Sequence, residues 1–99
     1  MTAYIIYHQH KMLDADTYQN EYVEPARALI NKHGGRQLVG GEYEVLEGDM
    51  PGTRIVVHEF PDMGALKDCY YSTEFQELCA LRQRIAPGNL IITRGFLPD

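Results

Sequence analysis

The chain has 99 residues, room for one domain with a modest core, and 44% of them are hydrophobic. Its formal net charge is -5, with 14 acidic residues against 9 basic ones, which argues against phosphate backbones and anionic membranes as partners. No run of about 18 apolar residues is present to span a bilayer, and residues 1–7 lack a basic n-region, so the expectation is a single domain over 1–99 in the cytoplasm.

Residues 3–9 are rich in Tyr and Ile and predict a first strand, with Tyr4, Ile6 and His8 on one face and Ile5, Tyr7 and Gln9 on the other. A helix follows. Asp14 or Asp16 can cap it, and Asp16 with Gln19 has the spacing of a capping box. Tyr18, Tyr22, Ala26, Leu29 and Ile30 recur at helical spacing. Pro25 interrupts them: it has no N–H to donate, and its ring collides with the Glu21 carbonyl, so a kink is expected between the two. Gly34 can adopt the left-handed conformation that stops the helix.

Strand two is expected over 36–39 and, after a bulge or bend at Gly40-Gly41, on through 43–46. Residues 48–52 are turn formers and predict a hairpin loop, and 54–60 predict strand three. Pro61-Asp62 opens a second helix that runs from Met63 to about Tyr71. Ser72-Thr73 breaks and recaps it, with Thr73 and Gln76 again at capping-box spacing. Phe75, Leu78, Cys79, Arg82 and Ile85 fall on the renewed helix. Pro87-Gly88-Asn89 ends it, and Leu90-Ile91-Ile92-Thr93 predicts the last strand.

Strand, helix, strand, strand, helix, strand is the order of a ferredoxin-like α+β fold, βαββαβ, a four-stranded antiparallel sheet with both helices on one face. Ile55 and Val57 point opposite to Val56 and Phe60, and Leu90 and Ile92 oppose Ile91, so the strands are apolar on both faces. The helices can cover one face. Leaving several Ile and Val side chains exposed on the other costs roughly 1.5–3 kcal/mol each relative to burial, which predicts a homodimer joined through the open sheet face.

His33-Gly34-Gly35-Arg36, Leu46-Glu47-Gly48, Glu59-Phe60-Pro61 and the stretch beginning Tyr71-Ser72-Thr73-Glu74-Phe75 and reaching Leu81-Arg82 resemble the DUF1330 family, in matching order and over almost the whole chain. The resemblance implies a small bacterial protein with the dimeric α+β barrel arrangement. Two features depart from the family pattern: Thr73 stands where Pro is common, and strand one is unusually rich in His and Tyr. The wider superfamily includes cofactor-free monooxygenases, polyketide cyclases, lactone isomerases and haem-handling proteins, so the fold leaves the reaction open. Plant polyketide cyclases of this superfamily use a Tyr and a His around the second helix. The corresponding positions here are Cys69 and Phe75, so the His is missing although Tyr70 and Tyr71 are close. Haem handling would need an axial ligand, for which His58 and His33 are the weak candidates.

Among residues able to carry chemistry, His58 stands out. It shares a strand face with Val56 and Phe60, and if that face meets the helices it lines a cavity where a neutral imidazole can act as acid or base; the alternative is a core histidine bonded to a tyrosine. His8 could join it across the sheet. His33 fits a helix C-terminal cap and His10 a solvated strand end. Arg36 could clamp a carboxylate or pair with Glu47 or Glu59, while Arg82 falls near the apolar stripe of the last helix. Tyr7, Tyr22, Tyr43, Tyr70 and Tyr71 could wall a pocket. Cys69 and Cys79 fit reduced, buried thiols, and no Cys/His spacing predicts a metal.

P-loop, dinucleotide, nucleophile-elbow and zincin motifs are absent. The resulting expectation is cofactor-independent acid/base chemistry, isomerase- or cyclase-like, on a small organic acid or ketone. In it His58 is catalytic, His8, Arg36, Tyr70 and Arg82 contact the ligand, and neither cofactor nor metal takes part. A non-catalytic small-molecule binding module and a cofactor-free monooxygenase stand as alternatives.

Overall fold

Period-two alternation places the first strand, β1 (Ala3–Gln9), with Ala3, Ile5, Tyr7 and Gln9 buried and the intervening residues half-buried on the other side. The computed structural model describes residues 1–97. In it β1 is followed by α1 (Ala15–Thr17), a π-helical segment (Tyr18–Val23), α2 (Glu24–Lys32), β2 (Arg36–Gly41), β3 (Arg54–Phe60), α3 (Met63–Tyr70), α4 (Thr73–Ile85) and β4 (Gly88–Arg94). The strands form one antiparallel sheet in the order β2-β3-β1-β4. The helices pack on the face that carries Ala3, Ile5 and Phe60, and the core lies between, with Leu66, Cys69 and Phe75 from the helical side. This is the ferredoxin-like α+β fold expected from the element order.

Helix boundaries follow from side chains that satisfy orphan N–H groups. Asp14 caps α1, its Oδ1 accepting from the Thr17 N–H at 3.1 Å and its Oδ2 from the Thr17 hydroxyl at 2.6 Å. Asp16 lies within the first turn instead and makes no box with Gln19. The irregularity expected near Pro25 takes the form of the π segment. Its wider turns end at Val23 and leave Pro25 in the first turn of α2, where a backbone donor is not required. Ser72, not Thr73, caps α4, its Oγ accepting from the Phe75 N–H at 3.2 Å. Gln76 Nε2 donates instead to the Tyr70 carbonyl at 2.6 Å.

The glycine pair after α2 forms a Schellman turn. Gly34, at φ 84°, donates to the Asn31 carbonyl at 3.0 Å, and Gly35 donates to the Ile30 carbonyl at 2.8 Å. A Cβ on Gly35 would sit 2.6 Å from Ile30 Cγ2 and 2.8 Å from Phe60 Cε2, so helix and sheet meet here at a distance that admits no side chain.

β2 differs from expectation in two ways. Its irregularity lies at Leu38, between the Gln37↔His58 and Val39↔Val57 pairs, and Gly40 and Gly41 pair regularly with Val56 and Ile55. Residues 43–46 do not continue the strand. β3 begins at Arg54, one residue beyond the Gly41↔Ile55 pair, so they have no backbone to pair with.

Candidate functional site

Register decides which side chains meet under the helices. Ile5 pairs with His58 and Tyr7 with Val56, so His58 shares a face with Val56 and Phe60 as its parity predicted, and that face is the helix-covered one. There it lines a cavity of about 200 Å³ between sheet and helices. The volume is below the usual ligand-pocket range of about 300–1,000 Å³, which restricts any occupant to a small molecule. The π segment contributes Tyr18 and Tyr22, stacked with ring centroids 5.1 Å apart, and α4 contributes Phe75 and Arg82.

His58 is half-buried. Burial disfavours its cation, and the charge of Arg27 adds to this, so its pKa lies below the ordinary imidazole value of 6.5. It is neutral at pH 7 and able to accept a proton. Tyr7 donates a hydrogen bond to the Ala86 carbonyl, and burial, with Tyr18 beside it, holds its phenol protonated well above the ordinary range. Tyr22 is pushed up to about 12, mainly by burial and against the opposing charge of Arg82.

Arg82 is 3% exposed. Its guanidinium lies 5.0 Å from the centroid of the Tyr7 ring and donates to Cys79 Sγ at 3.6 Å, and its Nε has no acceptor. Burial opposes its charge, but the facing Tyr22, Cys79 and Tyr7 outweigh this and raise its pKa. Arg54, which pairs with Gln9 across β1 and β3, also lines the cavity with a buried Nε that lacks an acceptor. A second, more open hollow of about 350 Å³ adjoins the first, sharing Tyr18, Gln19 and Arg54 with it and adding Gln9 and Glu42.

The remaining expected site residues fall elsewhere. His8 pairs with Ile55 and not with His58; it is on the opposite, uncovered face, with Nε2 2.6 Å from the Tyr43 hydroxyl and its ring edge-on to His10. The pairing of His8 with His58 that the strand order allowed is therefore not formed, because the sheet lies between them. Arg36 is on the uncovered side too, where its Nε and a terminal nitrogen reach Glu59 Oε1 at 3.0 Å and the Tyr4 hydroxyl donates to Glu59 Oε2 at 3.2 Å. Tyr70 packs edge-on against Tyr71, away from the cavity. His33 places Nδ1 2.9 Å from the Leu29 carbonyl, the capping role its position suggested.

Of the expected site residues, His58 and Arg82 share the cavity. Arg54, Arg27 and Tyr18 were missed. The signal for Arg54 was present, since it has the strand parity of Val56 and His58. Cys69 and Cys79 are free and buried, and burial, with Cys79 nearby, pushes the Cys69 thiol up to about 11, which disfavours a nucleophilic role. Among the described residues no three His, Cys, Asp or Glu side chains gather as metal ligands.

A single helical layer on an antiparallel ferredoxin-like sheet, with a small cavity between, defines the class of this α+β protein. The chain belongs to the family described as "Domain of unknown function (DUF1330)", which matches residues 2–96. No curated protein matches it. A protein of unknown function from Rhodopseudomonas palustris has a similar structure, with TM-score 0.75 at 17% identity, covering 98% of this chain and 84% of that one. An ethyl tert-butyl ether D (EthD) family protein from Bacillus halodurans has TM-score 0.64 at 13% identity, with 97% and 100% coverage. A variant of SnoaB, a cofactor-independent oxygenase from Streptomyces nogalater, has TM-score 0.60 at 10% identity, with 98% and 93% coverage. At these identities the likeness is one of fold.

Proposed function

We propose that the cavity binds a small carbonyl compound and that His58 acts there as a general base without a cofactor. The observation that carries this reading is a half-buried imidazole on the floor of a small aromatic-walled cavity, where burial favours its neutral form. His58 takes a proton from the carbon next to the carbonyl, and the electron pair moves onto the carbonyl oxygen to give an enolate. The neighbouring cationic side chains favour that oxyanion. Return of the proton to a different carbon is an isomerisation; attack of the enolate carbon on a second carbonyl of the same molecule is a cyclisation.

The site belongs, in this reading, to a homodimer joined through the uncovered sheet face, where Ile6, Val39, Val57 and Ile91 lie. Two free thiols fit a reducing cytoplasm. In solution, α-proton exchange into D₂O followed by NMR across a panel of small ketones and keto acids tests the base. Wild type is expected to exchange at least one member, with a loss of about 10²-fold or more in His58→Gln. Binding without exchange, equal in the variant, would leave a binding module. The likeness to SnoaB supports a second reading, in which the same enolate carbon reacts with dioxygen; oxygen uptake in the exchange mixture separates it from isomerisation.

A further inference from the structure

The charge inside the cavity runs opposite to that of the molecule. The chain carries a formal -5, yet Arg27, Arg54 and Arg82 line this cavity together with His58, and among the described residues no Asp or Glu does. Arg82 is 3% exposed. The acceptors it finds are weak ones: the Cys79 sulfur at 3.6 Å, the face of the Tyr7 ring and the neighbouring Tyr22 phenol. Its Nε–H, and that of Arg54, has no protein acceptor at all. A buried guanidinium without a carboxylate is unfavourable, and a chain selected for stability alone would place a hydrophobic residue there. The described ion pairs, Arg27–Glu24 and Arg36–Glu59, supply neither Arg54 nor Arg82 with a counter-charge.

We infer that the cavity recognises a small planar organic carboxylate, its anionic group held by the unpaired Nε–H and terminal nitrogens of Arg82, with Arg54 supplying further positive charge. A guanidinium presents two parallel donors that match a carboxylate fork. Ile5, Ile30, Val56, Phe75 and Leu90 supply apolar wall, which an inorganic anion would leave without contacts, and the stacked Tyr18–Tyr22 pair offers flat surface to a planar body. This names the substrate class for the site proposed above and rests on that site, but not on the role of His58.

Thermal unfolding and NMR of the full-length protein test it with three probes: benzoate, its neutral relative benzamide, and inorganic phosphate. Benzoate at millimolar concentration is expected to raise the wild-type Tm by several degrees and to shift the Arg82 Nε–H resonance, with benzamide and phosphate doing neither. Arg82→Met is expected to keep or raise the ligand-free Tm and to lose the benzoate response. Equal responses to benzoate and benzamide, a response to phosphate that matches benzoate, or a benzoate response retained in Arg82→Met would overturn the inference. The wild-type arm decides the matter even if the variant fails to fold. Benzoate binding with no α-proton exchange by the panel would refute the base role and support this inference; exchange with no preference for anions would do the reverse.

Discussion

Burial of His58 beneath the helices links stability to pH and favours the neutral imidazole. Desolvation first, and then the charge of Arg27, lower its folded pKa below the ordinary 6.5. Between the ordinary value and the lowered one the unfolded chain therefore binds the proton more readily than the folded chain. The stabilisation is complete above about pH 6.5 and is lost as pH falls through the folded value. Urea denaturation at pH 7.5 and at pH 5 is expected to show a larger loss of stability on acidification in wild type than in His58→Gln; the same loss in both would contradict the buried, neutral imidazole. The thiols yield a second prediction at this scale. Burial raises both, Cys69 to about 11, so little thiolate exists at pH 8. Both should react slowly with a disulfide reagent in the native protein and at once in denaturant, read by absorbance. Rapid native labelling would contradict it.

Caps and close contacts set the element boundaries, and they separate what the sequence showed from what it could not. Asp14→Ala removes two hydrogen bonds at the start of α1 and is expected to lower the urea midpoint, whereas Asp16→Ala should leave it nearly unchanged; equal midpoints in the two variants would contradict the Asp14 cap. Gly35→Ala drives a Cβ into Ile30 and Phe60 and is expected to cost about 1–3 kcal/mol. Choosing between Asp14 and Asp16, or Ser72 and Thr73, needs the backbone angle at each cap, which neighbouring cap-forming residues leave ambiguous. Period two put His58 on one face with Val56 and Phe60, because alternation is a property of one strand. It could not place His8 relative to His58, because that depends on register between strands, and the Ile5↔His58 pair puts His8 on the other side. The Arg82 position was readable from helical spacing. Its lack of a counter-charge was not, since the sequence offered 14 acidic residues and, among the described residues, none lines the cavity.

At the scale of the whole molecule, one helical layer on one sheet gives Cα extents of 35 × 35 × 16 Å, a plate with one broad face uncovered. Ile6, Val39, Val57 and Ile91 lie on that face, and Ile91 is 57% exposed. Burial of such residues favours pairing of two plates. Sedimentation is expected to give twice the chain mass of 11.3 kDa, and Val57→Lys, which places charges in the centre of that face, to give the single mass. A wild type that stays monomeric at high micromolar concentration would contradict the pairing. Whatever the assembly, the proposed function rests on the cavity beneath the helices and the proton-accepting state of its imidazole. The most direct measurement is the pH dependence of α-proton exchange for a panel member that the wild type turns over. A rate that is level at neutral pH, reaches half its maximum below pH 6.5 and drops about 10²-fold or more in His58→Gln is the predicted result. An identical profile in the two proteins would contradict the account.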